Sequence, residues 1–139
     1  MKNLDLYSKI AVRRAISPVS VADNTAAVSQ VIDRQGFTAL MFAIALGAIA
    51  DADTTMAVLV EHADISDMTG AVAVPDAELN GTEAAAGFQF DDDNETRKIG
   101  YVGNKRYVRL SVVSTSVTSG ATVGATAVRD RPAVGAVAQ

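Results

Sequence analysis

Residues 97–113 constrain the fold of this chain more than any other stretch. Val108, Leu110 and Val112 alternate there with Tyr107, Arg109 and Ser111. That period of two belongs to a strand with one buried face. Residues 99–102 form a shorter strand before it. Gly103-Asn104 lies between the two, a pair able to take positive φ. The stretch predicts two strands, 99–102 and 106–113, joined as a tight hairpin. It carries no catalytic signature.

The rest of the chain reads in the same terms. In residues 37–46, Leu40, Phe42, Ile44 and Leu46 make a large apolar face, and Ala39, Met41, Ala43 and Ala45 a smaller one. Two apolar faces predict a central strand. Ala, Leu and Met also favour helix, but the strict alternation and the bracketing Gly36 and Gly47 favour a strand. Residues 55–62 follow as a strand with Met56, Val58, Val60 and His62 on one face. The short acidic loop 50–54 predicts that the two pair as a hairpin. Residues 25–33, 70–74, 88–90 and 121–128 are further strands, and 76–87 a single helical turn or a long loop. Seven to nine short strands at even spacing predict an all-β, single-domain β-sandwich or barrel-like fold of antiparallel strands.

The ends read differently. Residues 1–20 alternate loosely and are broken by Ser17-Pro18, which predicts an extended N-terminal arm. Residues 21–130 form the sandwich domain, and 131–139 a flexible tail of small residues. The 139 residues suit one domain. Apolar residues make up 49%, but many are Ala, with no Trp, four Phe and three Tyr. The core should be thin and aliphatic. The absence of cysteine excludes disulfides and thiolate metal sites. Residues 1–20 hold no signal-peptide apolar region. The longest apolar run, 37–50, is short of the roughly 20 residues that span a bilayer, so no membrane partner is expected.

Charge is segregated along the chain. Residues 1–35 carry a net +2, residues 36–96 hold twelve acids and no base, and residues 97–139 carry a net +6, giving −4 in all. Two readings fit. The segments complement a partner or a neighbouring copy, or acidic and basic strands lie side by side within one sheet.

No nucleophile elbow, phosphate loop, dinucleotide fingerprint or zinc-helix motif is present. The single histidine, His62, points away from its neighbour Glu61 on a strand, and reads as structural. Residues 91–95 are dense in hard oxygen ligands but lack the glycine and distal Glu of a calcium loop. They read as a solvated loop, as do Asp51 and Asp53. Residues 97–109 mix Arg97, Lys98, Lys105, Arg106 and Arg109 with Tyr101 and Tyr107, but the acidic whole argues against direct nucleic-acid binding. The residues predict neither an enzyme nor a cofactor or metal.

The segment Gly100-Tyr101-Val102-Gly103-Asn104-Lys105-Arg106-Tyr107-Val108-Arg109-Leu110 resembles a hairpin of small β-rich proteins of tailed bacteriophages. Its pattern is Y-x-G-x-K-R-Y-V-R after an acidic loop. The core strand after Gln35-Gly36-Phe37, the Asp51–Asp53 loop, and an opening through Leu6, Ile10 and Ile16-Ser17-Pro18 are laid out similarly. The resemblance covers the layout of residues 25–115 and does not extend past Ser119. It is to capsid cement, or decoration, proteins. It implies a non-enzymatic virion structural protein on the outer surface of the shell, whose partner is the phage major capsid protein. It also implies a homo-oligomer, a trimer or else a dimer. Lys9, Arg13, Arg14, Arg106 and Arg109 are the expected partner-binding residues. The alternatives are a tail or head–tail joining subunit, or a ligand- or carbohydrate-binding β-sandwich.

Overall fold

A computed structural model describes residues 5–130 of the chain. A single 3-10 turn, Tyr7–Lys9, leads into β1 (Ile10–Val21), β2 (Ala27–Val28), β3 (Ile32–Asp33), β4 (Leu40–Ile49) and β5 (Thr55–Ala63). Then follow β6 (Val72–Ala73), a second 3-10 turn at Asp76–Glu78, β7 (Leu79–Asn80), the one-turn helix α1 (Glu83–Ala86) and β8 (Phe88–Gln89). The last three strands are β9 (Thr96–Tyr101), β10 (Tyr107–Thr115) and β11 (Ala121–Asp130). The protein is an all-β sandwich. One sheet runs β1-β11-β4-β9-β7, and the other β2-β10-β5-β6 with β3 also on β10 and β8 on β5. Every strand pairing is antiparallel.

The core lies between the sheets. Leu40, Phe42, Ile44 and Leu46 of β4 face Val108, Leu110 and Val112 of β10 and Met56, Val58 and Val60 of β5. Phe42, Ile44, Val60, Val108 and Leu110 are wholly buried. Each such side chain contributes about 1.5–3 kcal/mol by leaving water. As composition predicted, the filling is aliphatic, with Phe42, Phe88 and Tyr101 as the buried aromatic anchors.

Three expectations need correction. The first is the hairpin over residues 97–113. Both strands exist, but β9 pairs with β4 and β7, whereas β10 pairs with β5, β2 and β3. Residues 102–106 cross from one sheet to the other. Ile99 and Tyr101 therefore meet Val108 and Leu110 across the core, not side by side. Gly103 is absent from the positive-φ residues, so the Gly-Asn pair forms no primed turn. The same holds for β4 and β5, which lie in different sheets. A strand, a short loop and a strand look alike in sequence whether the loop folds back or arches over the core.

The second correction concerns the arm. Residues 10–21 form β1, which pairs with β11 from Ile10↔Asp130 to Val21↔Ala121. Two register shifts, between Arg14 and Ile16 and between Ile16 and Val19, absorb the break at Ser17-Pro18. Proline and bulges are tolerated on an edge strand because one side of its ladder is unpaired. Residues 1–4 of the expected arm and the expected tail, residues 131–139, lie outside the described residues.

The third is the strand over residues 25–33, which divides into β2 and β3. Ser29 supplies the reason: its Oγ accepts from Leu110 N at 2.9 Å and its own N–H donates to Leu110 O at 2.7 Å. Gln30 then turns to β1, where its N–H donates to Ala15 O at 3.0 Å and its side-chain amide donates to Arg14 O. Gln30 thus ties the edge of one sheet to the other.

Candidate partner-binding surface

The outer face of the five-stranded sheet is built from the second face of β4. With Leu40, Phe42, Ile44 and Leu46 inward, Met41, Ala43 and Ala45 must point outward. Register extends this face into rows. Val12, Val128, Met41 and Gly100 lie abreast across four strands, followed by Arg14, Thr126, Ala43 and Lys98. Gly124, Ala45 and Thr96 form the next row. Gly124 leaves room for Pro18, whose Cα would sit 3.4 Å from any added Cβ.

The surface is smooth, with two shallow depressions of about 340 and 550 Å³. Val12 is 44% exposed, Ala45 is exposed, and Met41 and Val128 are half-buried. A solvated antiparallel sheet normally alternates apolar inward with polar outward. This one carries Val12, Val128, Met41, Ala43, Ala45, Gly100 and Gly124 on its outward face, with Thr96 and Thr126 among them. Its charges sit at the margins: Arg14 and Lys98 at the ends of one row, and Asp130 beside Ile10.

The other sheet is built oppositely. Arg109 and Glu61 stand directly across β10 and β5, with Nη2 2.6 Å from Oε2. Arg106 grips Asp33 through two bonds of 2.9 Å and lies 5.0 Å from the Tyr107 ring centroid. Lys105 Nζ meets Asp64 at 2.5 Å. On β9, in the five-stranded sheet, Arg97 likewise meets Asp92 at 3.0 Å and Glu95 at 3.1 Å. Arg97, Lys105 and Arg109 thus pair within the fold with Asp92, Glu95, Asp64 and Glu61, four of the twelve acids of residues 36–96. Exposed pairs of this kind add only about 0–1 kcal/mol each; they determine which cations remain available.

The five expected partner-binding residues therefore separate. Lys9 closes the first 3-10 turn, half-buried. Arg13 and Arg14 are exposed neighbours on opposite faces of β1. Arg106, at the end of the crossing segment, and Arg109, on β10, are held by Asp33 and Glu61. The acidic loops hold the chain together. Asp93 accepts from Ile49 N, and Asp92 from Gln89 N. Asp51 accepts from Thr118 N, Thr118 Oγ1 and Ser119 N. These bonds, the Ser119 amide foremost, hold its carboxyl well below the usual value of 3.8. Among the described residues no group of three or more His, Cys, Asp and Glu is placed to hold a metal, and no helix is long and apolar enough to cross a membrane.

His62 sits in a buried polar knot that sequence reasoning missed. Its Nδ1 is 2.8 Å from the Tyr101 hydroxyl, which also accepts from Lys105 N at 3.1 Å. With that lone pair used, the phenol proton is free to point at His62 Nδ1. Arg34 lies 4.7 Å from the Tyr101 ring centroid and donates to Lys105 O at 2.6 Å. Burial pushes the Tyr101 phenol above its ordinary 10.0, against the opposing Lys105 N–H. The knot pins the crossing segment 102–106 over the end of the core. Tyr101 is 1% exposed.

No protein-family model matches the chain, and no curated protein matches it significantly. Solved structures do. Endo-1,4-β-D-xylanase 10B of Clostridium thermocellum, as its CBM22-1 and GH10 modules complexed with xylohexaose, aligns at TM-score 0.53 and 11% identity over 98% of this chain. The chain spans 27% of that xylanase structure. Pili that form Bacillus endospore appendages align at TM-score 0.45 and 9% identity, over 95% of this chain and all of theirs. The Yersinia pseudotuberculosis-derived mitogen aligns at TM-score 0.41 and 8% identity, over 95% and 97% of the two chains. At such identity the xylanase likeness shows the β-sandwich fold alone.

Proposed function

We propose that the protein is a non-enzymatic virion structural subunit that docks on the outside of a tailed-phage capsid shell and stabilises it. The observation that carries this reading is the uncovered apolar face of the five-stranded sheet. Val12, Met41, Ala43, Ala45, Gly124 and Val128 share it, and a face of that composition is the kind that a partner covers. The cement-protein resemblance of residues 100–110 supplies the partner's identity, the major capsid protein. Arg14 and Lys98 give the face a basic margin suited to an acidic shell surface. Weak contacts repeated by the symmetry of a shell bind strongly together, so a modest apolar face suffices.

The test is a charge placed on that face. Ala45→Glu leaves the core untouched, because Ala45 is exposed. The variant is expected to fold with an unchanged melting temperature and to lose sedimentation with empty phage heads. Normal decoration of heads by Ala45→Glu would refute the docking face. A carbohydrate-binding sandwich is the weaker reading. Such sites use exposed aromatic platforms, whereas this chain has no Trp, Tyr101 is buried and Tyr107 half-buried, and its exposed aromatics, Tyr7 in the first 3-10 turn and Phe90 after β8, stand apart from each other.

A further inference from the structure

At the margin where β1 and β11 meet the β3 segment, Arg13, Val31, Asp33, Gln35 and Arg129 line a cleft of about 270 Å³. Arg129 follows Ala125 and Ala127 on the inward face of β11 and is only 8% exposed. Its guanidinium lies 4.1 Å from the Phe37 ring centroid. Its Nη1 donates to the Asp33 carbonyl at 3.2 Å, and its Nε is buried without a partner.

A buried guanidinium is costly unless its donors are met and its charge is balanced. Among the described residues Asp33 is the one carboxylate that lines the cleft. Both its oxygens accept from Arg106, and one also accepts from Gln35 N. Arg13, alternating on β1 with buried Ala11 and Ala15, brings a second cation to the same cleft and makes no ion pair among the described residues. Burial, and then the neighbouring Arg13 charge, pull the Arg129 pKa below its ordinary value. The cleft therefore holds positive charge in excess and an open donor.

We propose that this cleft is an oxyanion site in which Arg129 and Arg13 grip a carboxylate or phosphate group, with the Gln35 side chain beside them. Two guanidinium forks match the paired oxygens of such a group. The site adjoins the docking face: Arg129 opens from the inner side of the sheet, whereas Arg13 also lines the depression beside Val12 and Arg14. A carboxylate would come from an acidic side chain of a neighbouring protein, and a phosphate from a free or esterified ligand.

The experiment titrates the full chain with inorganic phosphate and, separately, with acetate, at ionic strength held constant with chloride. The Arg129 Nε–Hε resonance is followed by nitrogen–proton correlation spectroscopy. A saturable shift is expected, and Arg13→Gln should weaken it at least about tenfold, the worth of one charge-assisted bond. Arg129→Lys keeps the charge, loses the fork, and should also weaken binding. Saturation by phosphate alone assigns a phosphate ligand, and saturation by acetate as well assigns a carboxylate. No saturable shift with either anion, or affinity indifferent to Arg13→Gln, overturns the proposal.

Discussion

Tyr101→Phe tests the claim that the buried knot holds the sheet-to-sheet crossing in place. The ring stays, so packing against the core is kept. Only the hydroxyl goes, and with it the bonds to His62 Nδ1 at 2.8 Å and from Lys105 N at 3.1 Å. His62 is 5% exposed and loses its hydrogen-bond partner, with only the Glu78 carboxylate left near Nδ1, at 3.6 Å. A stranded buried polar group costs about 1–3 kcal/mol. Lys105 is half-buried, and its amide regains water at the low end of that range. Together the losses come to about 2–4 kcal/mol. At about 4 °C per kcal/mol for a domain of this size, the melting temperature should fall by about 8–16 °C. Urea unfolding followed by circular dichroism should show the same loss as a lower midpoint at unchanged slope. Amide exchange at Lys105 should quicken. A loss under about 0.5 kcal/mol, the level of an ordinary surface change, would mean that the knot is hydrated and does not pin residues 102–106.

Gly103→Ala should destabilise by about 1–3 kcal/mol, the cost of overpacking. An added Cβ would lie 2.6 Å from Tyr101 Cζ and closer still to its hydroxyl and to Glu78 Oε2; a stability equal to wild type in urea would show that this contact relaxes freely. Asp51→Asn should lower stability at neutral pH. Because the folded carboxyl titrates below its unfolded value of 3.8, its contribution is complete above that pH and is lost as pH falls towards the folded value. The stability gap between wild type and Asp51→Asn should therefore narrow below about pH 4, and a gap constant from pH 7 to pH 3 would contradict the assignment.

The strands themselves were legible because each carries its burial in its own alternation. Residues 37–46 and 106–113 needed no knowledge of their neighbours to be placed. Pairing was not legible. The inward faces of β9 and β10 are the same whether the strands lie abreast or opposite, and the deciding contacts come from residues remote in sequence: Arg34, His62, and Glu78, whose carbonyl accepts from Val102 N at 2.8 Å. β1 was read as an arm because its alternation fails at Ser17-Pro18, and only β11, over a hundred residues later, shows that a bulged edge strand accommodates it. The charge pattern was plain, but register decides its meaning. Arg109 could be matched to Glu61 only once β10 lay on β5. The docking face was visible as the small side of residues 39–45 and was taken for a second buried face. Alanine and glycine do not distinguish a covered face from an exposed one. The Arg13–Arg129 cleft left no local signal, since its residues come from three separate strands and the loop after β3.

Light scattering of the purified chain, alone and mixed with empty phage heads that lack it, tests the central claim most directly. The docking account predicts that the chain co-migrates with the heads at a fixed copy number per head, saturating as the symmetry-related sites fill. A monodisperse chain that ignores the heads at every ratio would contradict it.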